Sequence, residues 1–301
     1  MPQAARQASW WNRPPAGGVT VGMNGSQSEV AQSTLRGWRI VVLHLVIAAA
    51  VAACAGSEGP SADPPAFPVG PEAIVFQFQT GGGLAGPCCE PWAVPDITAY
   101  GDGRVVVRGP NVGRVPGLRQ ATISETDLAQ LVADARVAGL LGPEPVDVGV
   151  VCCDMSYTNV VIADAAMAQE FVVMGLGALG RDLTQDQIRT RQAISDLWAR
   201  LFALAGQDAG GSEYGPDELV AYVRAPFAGA ADATPWPLDE PRLEAPNGNN
   251  PRCLHIAAGD DVGTLLRAAQ RNPGDNWTID GREWTVFVRP LLPHEHGCPE
   301  G

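Results

Sequence analysis

The chain has 301 residues, 46% of them aliphatic or aromatic, which suits a buried core in one large domain or two small ones. Its 20 basic residues are all Arg and face 33 acids; residues 1–53 hold four of the Arg and only Glu29, leaving 16 cations against 32 acids, a net charge of −16, in residues 54–301. Such a surface repels phosphates and anionic headgroups, so a nucleic-acid-binding role is excluded as a reading, and the acidity is taken as solubility.

Residues 1–38 read as an N-terminal extension and signal n-region, with Met1 and Met23 as alternative starts. Arg36 and Arg39 lead into the apolar run Ile40–Ala53, broken only by His44. The run is too short to span a bilayer and suits a signal h-region, assigned with its lipobox to residues 39–54. Val51-Ala52-Ala53-Cys54 resembles the lipobox of bacterial lipoproteins, and that resemblance makes Cys54 the lipidated N-terminus of the mature protein. The Gly, Ser and Pro-rich residues 55–72 then form a flexible tether.

A main α+β domain is expected over residues 73–228. "AIVFQFQT" alternates Ile74, Phe76 and Phe78 against Val75, Gln77 and Gln79, the period of a half-buried strand. "DITAYGDGRVVVRG" is a hairpin, with Asp102-Gly103 expected to supply the positive φ angles of its turn. Ser124 and Asp127 form a capping box for a helix whose apolar stripe is Leu128, Leu131, Val132 and Ala135, stopped at Gly139. A second hairpin turns between Ala163 and Ala166, and a second helix from Thr184 presents Ile194, Leu197, Trp198, Leu201 and Ala205. The fold class is therefore α+β: a four-stranded antiparallel sheet built from two hairpin-helix units, helices on one face. "DELVAYVRAP" is expected to add a strand to it.

Residues 229–250 are polar and Pro-rich and read as a linker or long surface loop. Residues 251–301 make a small C-terminal strand-helix-hairpin unit expected to be docked on the main domain or to extend its sheet: a strand at Cys253–Ile256, a helix over Asp260–Ala269, and a hairpin turning at Asp280-Gly281.

Six cysteines lie beyond the lipobox: Cys88, Cys89, Cys152, Cys153, Cys253 and Cys298. An even count outside the cytoplasm reads as disulfides, with bridges between the two Cys-Cys doublets and a Cys253–Cys298 tie across the tail unit. The alternative is a copper or zinc site, since Cys253 and His255 share one strand face and His294, His296 and Cys298 follow at two-residue spacing. Gly175–Gly180 is a formal G-x-G-x-x-G, but Arg181-Asp182-Leu183 separates it from the next helix, so it reads as a loop and no nucleotide cofactor is expected. G-x-S-x-G and H-E-x-x-H are both absent, so no catalytic residues are assigned, and a hydrolase working through paired carboxylates has no motif behind it. Trp236, Trp277 and Trp284 are candidates for a binding surface or for the core.

"ITAYGDGRVVV", "LVADARVAGLL", "PDELVAYVRAP" and "WTVFVRPLLPHEHGC" together resemble a family of secreted, often lipid-anchored actinobacterial proteins of uncharacterised function. The resemblance spans residues 73–301 and implies an envelope location and a repeated sheet-helix architecture; it carries no activity and no site residues. The expectation from sequence is a membrane-anchored, extracytoplasmic binding protein without cofactor. Its partner would be an envelope protein, a peptide or a cell-wall component, and an enzymatic role is not favoured.

Overall fold

A computed structural model describes residues 66–82, 93–151, 155–178, 182–206, 211–226, 233–239, 252–272 and 274–298. The signal segment, Cys54 and the doublets Cys88, Cys89, Cys152 and Cys153 lie outside these residues. Among the described residues the chain is α+β, with mostly antiparallel sheets and three helices, and no helix among them is long and apolar enough to cross a membrane.

The first sheet is formed by β1 (Ile74–Gly82), β2 (Ile97–Tyr100), β3 (Arg104–Arg108), β4 (Leu118–Thr122), β5 (Ser156–Ala163), β6 (Ala168–Met174) and β7 (Ser212–Glu213). Its order is β6-β5-β1-β2-β3-β4-β7, every pair antiparallel. Seven strands replace the four expected because β1 joins the two hairpins and β4 and β7 extend the far edge. Two helices pack into one core with this sheet: α1 (Glu125–Val137) through Leu128, Leu131 and Val132, and α2 (Gln185–Leu204) through Ile194, Leu197 and Leu201. Both start as the sequence predicts. Ser124 accepts from the Asp127 backbone N–H, and Thr184 and Gln187 form a reciprocal capping box.

Two local expectations are corrected. The register of β1 shifts between Ile74 and Phe76, so Val75 joins Phe76 and Phe78 in the helix-facing core while Ile74 packs on the opposite side. A bulge inserts one residue and resets which side chains face inward. At the first hairpin turn only Gly103 is left-handed, at φ +83, and its N–H donates to Tyr100 O. The loop is therefore Gly101-Asp102-Gly103, a three-residue turn ending in a left-handed glycine rather than a two-residue one. Asp280 and Gly281, with φ of 50 and 69, do form the two-residue turn expected of the last hairpin.

The second sheet contains β8 (Leu219–Arg224), β9 (Thr234–Pro235), β10 (Arg252–Ile256), β11 (Asn276–Ile279) and β12 (Arg282–Pro290), in the order β10-β8-β12-β11-β9. The strand "DELVAYVRAP", expected in the main domain, is thus the second strand of this sheet, between β10 and β12. Its residues Leu219–Val223 are all buried, because one face meets α3 (Asp260–Arg271) and the other meets Leu291 of the tail. The expected linker also contributes: β9 pairs in parallel with β11, and Trp236 enters the core beside Trp277 and Trp284. All three tryptophans are therefore core residues.

Candidate functional site

The loop between β3 and β4, Gly109–Gly117, reaches from the first sheet to the second. Gly109 and Gly117 are hydrogen-bonded across its base, and Val115 at its far end is buried in the core of the second sheet. Gly113 sits so close to the C-terminal end of α3 that a Cβ there would lie 2.3 Å from Gln270 O. Beneath this arm is a cleft of about 550 Å³, within the usual range of small-ligand sites.

The cleft is largely apolar, with Leu118, Leu266 and four prolines (Pro110, Pro116, Pro216 and Pro290) in its walls. Polar groups converge at its mouth. Arg119 and Glu213 are direct cross-strand neighbours on β4 and β7, and both are solvent-exposed. The Arg119 stem passes over Gly109, and its Nη2 donates to Gly211 O at 2.7 Å. Tyr214 closes the floor; its hydroxyl donates to Leu291 O at 2.8 Å, and burial pushes its pKa up to about 12, so it stays a neutral donor. A ligand here would meet an apolar body, one cation and one anion.

The tail residues singled out from sequence are partly brought together. Cys253 of β10 and Cys298 are disulfide-bonded, with Cα atoms 5.7 Å apart. Closing this loop, 45 residues in sequence separation, removes unfolded-state entropy equivalent to about 4 kcal/mol. While the bond stands, neither sulfur is a thiolate ligand. The histidines face different partners. His255 Nε2 lies 2.8 Å from Glu218, and His296 lies 3.6 Å from Glu72 on the surface. His294 Nδ1 lies 2.9 Å from the Tyr100 hydroxyl, with Gln77 at 3.5 Å from Nε2. Burial lowers the His294 pKa, while burial raises that of Tyr100. Among the described residues no three His, Cys, Asp or Glu side chains gather as a metal site would require.

Sequence reasoning missed the cleft because its lining comes from four separate places: the β3–β4 loop, the β7 region, α3 and the end of β12. The stretch "RGPNVGRVPGL" drew no reading from sequence: its Gly-Pro and Val-Pro pairs are loop signals that do not say what the loop packs against.

The chain matches no family model, no curated protein and no solved structure. Fold and site chemistry therefore carry the functional reading.

Proposed function

We propose that the protein is a binding protein of the bacterial envelope, lipid-anchored through Cys54 on the outer side of the cytoplasmic membrane, that takes a short peptide segment in the inter-sheet cleft. The observation that carries the binding role is the cleft itself: an apolar, proline-rich trough with Arg119 and Glu213 at its mouth. Prolines present rigid apolar surface with no backbone N–H of their own, leaving polar recognition to a few placed groups. A peptide supplies both an apolar body and groups for one cation and one anion. The Cys253–Cys298 disulfide supports an oxidising compartment, and Val51-Ala52-Ala53-Cys54 supports the anchor. In this reading the two hairpin-helix units, helices on one face, are the scaffold, and the C-terminal unit is docked to complete the cleft.

The test is a titration of the detergent-extracted full chain with defined pools of tri- to pentapeptides, read by native mass spectrometry. Binding is expected in the wild type. It should weaken at least tenfold in Arg119→Glu, and in Asn111→Trp, which places an indole in the cleft. Binding unaffected by both substitutions removes the cleft from consideration. Cys54→Ala is expected to leave the membrane fraction while binding unchanged; retention in that fraction rules out the anchor.

A further inference from the structure

The first sheet has two edges. β7 borders the cleft and is two residues long, whereas β6 ends the other side with seven residues, Ala168–Met174. The phase of the β5–β6 ladder follows from the bonds at its ends. Asp164 N–H donates to Met167 O, and Gly175 N–H donates to Ser156 O. In an antiparallel pair, residues alternate between bonding across the ladder and directing both N–H and C=O away from it. With Asp164–Met167 and Ser156–Gly175 in the bonded phase, Gln169, Phe171 and Val173 point to β5. The backbone groups of Ala168, Glu170, Val172 and Met174 point outward.

The Met174 carbonyl is taken by Arg191 Nη2 at 2.7 Å. No other described backbone group bonds to the outward positions Ala168, Glu170 and Val172. Their side chains all project to the sheet face away from the helices and are exposed, Val172 at 54% and Met174 at 39%. The strand's own residues include no proline and no Arg, two of the devices that ordinarily blunt such an edge, and the one cation at it among the described residues is Arg191 of α2, on the terminal Met174 carbonyl.

We infer that β6 is a docking edge for an extended segment of another protein, which adds antiparallel to it as an eighth strand. The chemistry of the edge fixes that segment. Residues opposite Met174 and Val172 share their face and are apolar; the residue beside Phe171 on the other face is apolar; the residue opposite Glu170 is basic. Read in the partner's direction, this is apolar-x-apolar-apolar-basic. A second copy fits poorly. β6 offers no cation to set against Glu170, and each copy carries 16 more acids than cations over residues 54–301, from 32 against 16. The surface is independent of the cleft, which lies at the other edge of the sheet.

The probe is the blocked peptide Ser-Val-Thr-Val-Val-Arg-Ser, with a twin carrying Glu in place of Arg. Hydrogen–deuterium exchange of the detergent-extracted full chain is followed across residues 168–174, with sedimentation on the same samples. Saturating peptide is expected to slow exchange at β6 at least fivefold, with the Glu twin at least tenfold weaker. Val172→Pro removes one outward N–H and no ladder bond, and it should abolish the protection. Glu170→Arg, a change at an exposed site, should reverse the preference between the twins, so the inference is decided even where the proline variant fails to fold. Unchanged exchange at β6, equal binding of the twins, or a dimer that Glu170→Arg dissolves each overturns it, the last by assigning the edge to a second copy.

Discussion

Arg191 stands on the apolar stripe of α2, one turn before Ile194, where helical periodicity places a hydrophobic residue. It is only 4% exposed, and burial lowers its pKa, yet among the described residues no carboxylate is bonded to it. Instead its guanidinium donates to the carbonyls of Val148 at 3.2 Å, Met174 at 2.7 Å and Gly175. One side chain thus fastens the segment before β5 and the end of β6 to the helix beneath them. Arg191→Ala would leave those carbonyls without their donor and open a cavity, and a loss of about 3 kcal/mol in urea unfolding is expected. Arg191→Lys should recover less than half of that, because an ammonium cannot spread its donors over three carbonyls as a guanidinium does. A variant as stable as wild type would mean that solvent reaches these carbonyls.

At the scale of elements, the β3–β4 arm has the sharpest steric constraint. Gly113 has φ +62 and lies against the Gln270 carbonyl, so any side chain there meets both backbone strain and a clash. Gly113→Ala is expected to lift the arm from α3, withdraw Val115 from its core and cost about 2 kcal/mol, measured as a fall in thermal midpoint. What was legible in the sequence was local. The cap at Ser124, the α1 stripe, the Asp280-Gly281 turn and the tail helix follow from residues within a few positions of one another. What was not legible depends on distant partners. "LVAYVR" reads as a strand anywhere; only its neighbours β10 and β12, contributed by residues after 250, decide which sheet receives it. The bulge in β1 leaves no mark in "IVFQF", since Val75 and Phe76 suit either face. β4 has one fully buried side chain among five, too few for a period to show. Of the candidate site residues, the Cys253–Cys298 pairing was anticipated from the even count once the doublets are bridged to each other, whereas Arg119 and Glu213 are neighbours only because β7 returns to β4.

For the molecule as a whole, the tail after β12 ties the two sheets together. Arg289, 6% exposed, donates to Ala93 O and pairs with Glu295, which also accepts from the Leu292 N–H. Leu292 is buried with Tyr100, Val106, Leu118 and Tyr214 on the face of the first sheet away from the helices. His294 completes this contact against Tyr100 and Gln77, with Glu295, Arg289, His296 and Glu72 as the charged groups around it. Burial is the largest influence and lowers its pKa in the fold, whereas the unfolded chain takes up the proton near the ordinary value of about 6.5. Between those two values the unfolded state binds more protons, so acidification favours unfolding. The contribution of neutral His294 is full above about pH 6.5 and is lost as pH falls toward the lowered value, with a slope of at most about 1.4 kcal/mol per pH unit for one proton. His294→Gln keeps a polar partner for Tyr100 without a titrating ring. Urea midpoints taken from about pH 7.5 to about pH 5.5 are expected to fall in the wild type and stay level in that variant. The same slope in both would place the titrating group elsewhere. A flattened slope would assign the acid sensitivity to the His294 contact with Tyr100, where the tail of the second sheet meets the first.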